Sequence, residues 1–148
     1  MELIDLVKNA KESTYKLQSL NAEIKNYALS EIAKNIEKRK NEIFEANNKD
    51  LENAKELLNN KKISLSMFNR LKLDDNKIID IISGIKDVIK LEEPINKILT
   101  ETELDDNLIL KKVSCPIGLI SVIFEARPDV ISQISSLCIK SANAVILK

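Results

Sequence analysis

Histidine and tryptophan are absent from this chain of 148 residues, and it has only two cysteines and two glycines. Without histidine, Cys115 and Cys138 cannot build a Cys/His zinc set, and two cysteines make no disulfide framework. The glycines, Gly84 and Gly118, are too few for a GxGxxG fingerprint or a P-loop, so no glycine-rich phosphate cradle is expected. Aromatics are only 3%, too few for a base-stacking surface. Neither sign of charge dominates: Lys+Arg and Asp+Glu are 23 each, so no net field recruits nucleic acid or anionic lipid. No apolar run approaches the roughly 20 residues of a membrane span. The start, MELIDLVKNAKES, has acids and no basic-then-apolar leader pattern, so the expected compartment is the cytoplasm.

Apolar residues are 44% and charged residues 31%, and this length suits one domain with a sizeable core. Arginine is scarce: Arg39, Arg70 and Arg127 are the only three among 23 basic residues. The Lys, Asn and Ile bias reads as genomic drift, and against it a retained arginine is more informative than a lysine.

Charge is concentrated in residues 1–112. From Val113 onward only Glu125, Arg127, Asp129, Lys140 and Lys148 are charged. The first part reads as surface helices, the second as the interior of a larger body. Leu3, Leu6, Val7, Ala10, Thr14 and Leu17 follow a helical step. Asn21 suits an N-cap for a second helix with Ile24, Ala28, Ile32, Ile36 and Ile43 on one face. A further helix through Leu51, Ala54 and Leu58 follows the Asn47-Asn48 pair. Ser64 or Ser66 caps a short helix, and Asp74 or Asp75 starts another with Ile78, Ile82, Ile85 and Ile89 inward. Pro94 closes the helical region.

Segments 97–103 and 108–114 flank Asp105-Asp106-Asn107 and predict a β-hairpin. The run from Ile117 to Phe124 reads as a strand buried on both faces. Asp129–Ser141 reads as a helix with Val130, Ile134, Leu137 and Cys138 on one face, and Ala144–Leu147 as a second strand. The fold class is therefore α/β, and residues 117–148 form a βαβ unit with an expected right-handed crossover. Ligands of open α/β sheets bind beyond the carboxyl ends of the strands. Here that edge holds the loop Glu125-Ala126-Arg127-Pro128 and Lys148.

Arg127 can grip a phosphate or carboxylate with two parallel hydrogen bonds, or pair with Glu125 or another nearby carboxylate. Asp129, at the expected N-cap, competes for the helix amides. Lys148 can bond a ribose or attract a phosphate, or be a solvated lysine. Glu125 can orient Arg127, contact ligand hydroxyls, or be a solvated loop acid. Cys115 and Cys138 read as structural, because reactive thiols need an electropositive setting.

At PIGLISVIFEARPDVISQISSLCIKSANAVILK the chain resembles the gamma-glutamyl phosphate reductase (glutamate-5-semialdehyde dehydrogenase) family, a branch of the aldehyde dehydrogenase superfamily. EANNKDLENAK and RLKLDDNKIIDIISGIKDVIKLEEPI resemble that family's N-terminal region, so the likeness covers essentially the whole chain. The resemblance implies the N-terminal part of an enzyme that uses NADPH to reduce L-glutamyl 5-phosphate to glutamate 5-semialdehyde and phosphate, in proline biosynthesis. It implies a nucleophilic cysteine in a later catalytic domain, with a thioester as intermediate; neither Cys115 nor Cys138 lies in a matching motif. The chain alone is therefore expected to be inactive and to bind NADPH weakly at most.

By the same resemblance, Phe124, Glu125 and Ala126 pass beside the cofactor, Lys148 lies near its adenosine ribose, and Arg127 helps hold the acyl phosphate. The implied layout has residues 1–96 as the helical region of the cofactor domain. Residues 97–114 are a hairpin of oligomerisation type, and 115–148 the first βαβ of an incomplete, Rossmann-type NADP-binding domain. Homo-oligomers are implied, and a two-strand sheet with open edges adds reason to expect association. Ala142 stands where the family commonly has the glycine of SGNA, and Ser121 where a glycine is usual. The rival expectation is a truncated, non-enzymatic relative that serves as an interaction or regulatory module.

Overall fold

The computed structural model describes residues 3–148, and among them lie six helices and four strands. Helices α1 (Leu3–Gln18), α2 (Ala22–Lys38), α3 (Lys40–Asn59), α4 (Leu65–Leu71) and α5 (Asp75–Lys90) come first. Strands β1 (Ile98–Asp105) and β2 (Leu108–Val113) form an antiparallel hairpin about a turn at Asp106-Asn107. Strand β3 (Leu119–Val122), helix α6 (Asp129–Lys140) and strand β4 (Ala144–Leu147) follow, with β3 and β4 parallel. Among the described residues no helix is long and apolar enough to cross a membrane.

Local chemistry explains most boundaries. The side chains of Asn21, Ser64 and Asp74 accept hydrogen bonds from the N–H groups of Ile24, Met67 and Lys77, at 2.9, 3.1 and 2.8 Å. These are ordinary N-caps for α2, α4 and α5. Helix α5 then repeats isoleucine at helical spacing. Ile78, Ile81, Ile82 and Ile85 are buried and pack with Leu29 and Ala33 of α2 as the principal core. Each buried isoleucine contributes about 1.5–3 kcal/mol.

Several expectations are corrected. The first long helical stretch breaks at Arg39, not at Asn47-Asn48: α3 runs unbroken from Lys40 to Asn59. Asn47 is buried in mid-helix, where its amide donates to the Leu71 carbonyl (2.8 Å) and accepts from the Leu73 N–H (3.0 Å). It is a clamp on the link between α4 and α5 rather than a punctuation mark. The inward face of α2 is Lys25, Leu29 and Ala33, and Ile24 is exposed, while Ile43 lies on α3. Leu137 is also exposed, and the buried members of α6 are Val130, Ser136, Cys138 and Lys140.

The strand expected over Ile117–Phe124 is only Leu119–Val122, and Ile117 and Ile123 are exposed. Its residues are half-buried at most, except that Ser121 is exposed, because among the described residues β3 pairs with β4 alone. A glycine is needed just before it: Gly118 has φ +113°, outside the range of residues with a side chain. Its N–H donates to Asn143 Oδ1 at 2.7 Å, and its carbonyl accepts from the Ala144 N–H at 2.9 Å. Asn143 thus joins the entry of β3 to the entry of β4.

Helix α6 ends in a Schellman arrangement: the Asn143 N–H bonds the Cys138 carbonyl (2.8 Å) and the Ala142 N–H the Ile139 carbonyl (3.1 Å). Ala142 takes the left-handed position expected of the usual glycine, at φ 54°. That conformation costs a non-glycine residue roughly 1 kcal/mol. Ala142 is 1% exposed, and burying its methyl returns roughly 0.8 kcal/mol. The two terms nearly cancel, which is why alanine is tolerated here.

Candidate functional site at the carboxyl ends of the parallel strands

The parallel pairing brings the ends of β3 and β4 together. The ladder extends past both: the Phe124 N–H donates to the Lys148 carbonyl (2.9 Å) and the Lys148 N–H to the Val122 carbonyl (3.0 Å). Phe124, Glu125, Ala126 and Lys148 are therefore neighbours on one edge, as the topology requires. Glu125 and Lys148 are both exposed, and among the described residues no ion pair or side-chain hydrogen bond engages either. Ala126 has φ 54°, a left-handed kink that turns the chain from the strand toward α6.

Arg127 is placed differently from the rest. Its Nη2 lies 2.9 Å from Asp129 Oδ2, so its partner is Asp129 and not Glu125. Asp129 is the first residue of α6 rather than its N-cap: Pro128 holds the cap position, and no side chain caps the helix. The cause is the pyrrolidine ring, which presets a helical φ one residue earlier than the expected start.

Arg127 also lines a cleft of about 310 Å³ with Arg70, Lys77, Asp80, Ile81, Asp129 and Gln133. Neither Arg70 nor Lys77 stood out as a ligand residue in the sequence. The one available signal is that Arg70 is among only three arginines. A larger groove, about 580 Å³, is lined by Pro128 and by residues of α2, α3, α5 and α6, six of them isoleucines. It has no cation among its lining residues.

The cysteines do not join this edge. Cys138 is 6% exposed, and burial raises its thiol pKa. Cys115 is exposed but precedes β3, at the end of the strand opposite the Glu125–Arg127 loop. Among the described residues no group of His, Cys, Asp or Glu could hold a metal ion.

The edge and the cleft can bind anions and hydroxyls, but they supply no nucleophile. No family model matches the chain. It is 78% identical over 148 residues to the gamma-glutamyl phosphate reductase of Brachyspira hyodysenteriae, covering all of this chain and 34% of that protein. It is 49% identical over 142 residues to the same enzyme of Methanosarcina acetivorans, covering 96% of this chain and 32% of that one. Two crystal structures of gamma-glutamyl phosphate reductase superpose closely. The Saccharomyces cerevisiae enzyme gives a TM-score of 0.90 at 39% identity, over 97% of this chain and 36% of that one. The Thermotoga maritima enzyme gives 0.91 at 33% identity, over 99% and 34%. In sequence and in fold, the chain is therefore similar from end to end to gamma-glutamyl phosphate reductase, an oxidoreductase of amino-acid biosynthesis, and spans about a third of that enzyme's length.

Proposed function

We propose that the chain is the N-terminal, cofactor-side portion of a cytoplasmic, NADPH-dependent reductase that converts L-glutamyl 5-phosphate to glutamate 5-semialdehyde and phosphate. The observation that carries this reading is the 78% identity to the Brachyspira hyodysenteriae reductase over all 148 residues. Residues 1–96 are its helical region, 97–114 an assembly hairpin, and 115–148 the first βαβ of an incomplete Rossmann-type NADP-binding domain.

NADPH supplies the hydride when it is bound. The chain's own residues fit one side of such a ligand: an exposed strand-end edge, an unpaired lysine and a kinked loop meet there. Lys148 donates to the adenosine ribose. Phe124, Glu125 and Ala126 would pass beside the cofactor. Arg127 holds the acyl phosphate, since a guanidinium offers five donors and Asp129 takes only one of them.

The hairpin is the proposed surface for homo-oligomer formation. Every residue of β1 and β2 is exposed, including Ile98, Leu99, Leu104, Leu108, Ile109, Leu110 and Val113. Exposed apolar side chains clustered on one hairpin mark an association surface.

The ligand edge is tested by titrating ¹⁵N-labelled chain with NADPH and mapping the amide shifts. The expected shifts fall on Phe124, Glu125, Ala126 and Lys148, at no better than weak affinity because one side of the ligand is unsupported. Shifts confined to the hairpin, or tight binding, contradict the assignment.

A further inference from the structure

Three cations from three separate segments line the cleft beside the α6 entrance. Arg70 comes from the last turn of α4, Lys77 from the first turn of α5, and Arg127 from the loop before α6. Asp80 and Asp129 are the carboxylates of the same cleft, so cations outnumber acids by one. Asp129 is engaged by Arg127, and Lys77 donates to the Lys72 carbonyl. Arg70 has no carboxylate partner among the described residues, whereas Arg39, the third arginine, is locked to Glu42 at 2.7 Å.

The arrangement is held in place. Asn47 bonds the backbone at Leu71 and Leu73, the residues between Arg70 and the cap of α5. Asp74 then caps α5 through the Lys77 N–H. The backbone that carries Arg70 and Lys77 is thus clamped at the link between them, which lowers part of the ordering cost of binding. A guanidinium fork fits a tetrahedral oxyanion, and a lysine adds a point charge.

We propose that Arg70 and Lys77 complete, with Arg127, a seat for a phosphate dianion, here the acyl-phosphate end of the substrate. This rests on the role given above to Arg127 and adds two residues to it. A phosphate on the cofactor has the same chemistry. The acyl phosphate is favoured because the cleft opens on the Arg127 side of the loop, where α4 and α5 lie, and not on the Lys148 edge.

The test is NMR on the 148-residue chain at fixed ionic strength, reading the Nε–Hε resonances of its three arginines. The probes are inorganic phosphate, acetyl phosphate and 2′-AMP. Phosphate and acetyl phosphate are expected to shift Arg70 and Arg127 and leave Arg39 unmoved. Arg70→Gln should weaken acetyl phosphate binding about tenfold, the equivalent of one charge-assisted hydrogen bond. Arg70→Lys should weaken it less, and Arg39→Gln should not change it. If Arg127 responds while Arg70 does not, the seat is overturned and the role of Arg127 stands. If neither responds to any probe, both fall. A response of Arg70 to 2′-AMP alone overturns the acyl-phosphate assignment.

Discussion

Glu93→Leu lowers the stability of the chain by about 3 kcal/mol in urea unfolding followed by circular dichroism. The reason is a buried cation. Lys25 is 2% exposed, and its ammonium lies 2.6 Å from Glu93 Oε1. Its other recorded partner is the Lys140 carbonyl at 3.1 Å. Lys140 is itself 3% exposed, with its ammonium on Asn26 Oδ1 (2.8 Å) and the Ile89 carbonyl (3.1 Å). One carboxylate therefore serves a region with two buried ammoniums.

Removing that carboxylate strands the Lys25 charge among neutral carbonyls. Breaking a buried pair costs about 3–5 kcal/mol, and the lower end applies because Glu93 keeps 28% exposure and water screens it. Adding Lys25→Met should restore most of the loss, since a matched removal of both partners is close to neutral. A double variant as unstable as Glu93→Leu alone would show that the pair is not coupled. The network matters to the site because it joins α2, the α5–β1 link and the end of α6, the helix whose other end presents Arg127.

The second expected result is an absence. Purified chain with NADPH and L-glutamyl 5-phosphate consumes no NADPH above the protein-free rate. Attack on an acyl phosphate needs a thiolate within about 3–3.5 Å of the carbonyl carbon. Burial holds the Cys138 thiol protonated and hidden. Cys115 is accessible but sits across β3 from the ligand edge, and four strand residues span roughly 13 Å. No histidine exists to activate either. Cys115→Ser should therefore leave weak NADPH binding unchanged. NADPH consumption that this substitution abolishes would contradict the account.

Most of the fold was legible because it follows local rules. Asn21, Asp74 and the isoleucine repeat of α5 declare their helices, and Asp106-Asn107 declares the hairpin. Ala144–Leu147 has the limits its composition implies. The break at Arg39 was not legible, since neither glycine nor proline marks it and Arg39 serves both helices as a cap without a side-chain bond. Nor were Lys25 and Lys140 readable as buried, because a lysine reads as surface until a distant carboxylate or carbonyl meets it. Sequence order did place Glu125, Ala126 and Lys148 on one edge, since parallel strands put both carboxyl ends together. It could not join Arg70 to Arg127, because they are 57 positions apart by number and come to line one cleft only in the folded chain.

The central claim is that this chain supplies one side of a reductase site. The most direct measurement is the steady-state kinetics of a chimaera in which residues 1–148 replace the matching third of the Brachyspira hyodysenteriae enzyme. The account predicts NADPH-dependent reduction of L-glutamyl 5-phosphate. It also predicts that Arg127→Gln raises KM for the acyl phosphate about tenfold or more, and that Lys148→Ala raises KM for NADPH instead. A folded chimaera without reductase activity, or one indifferent to both substitutions, would contradict it.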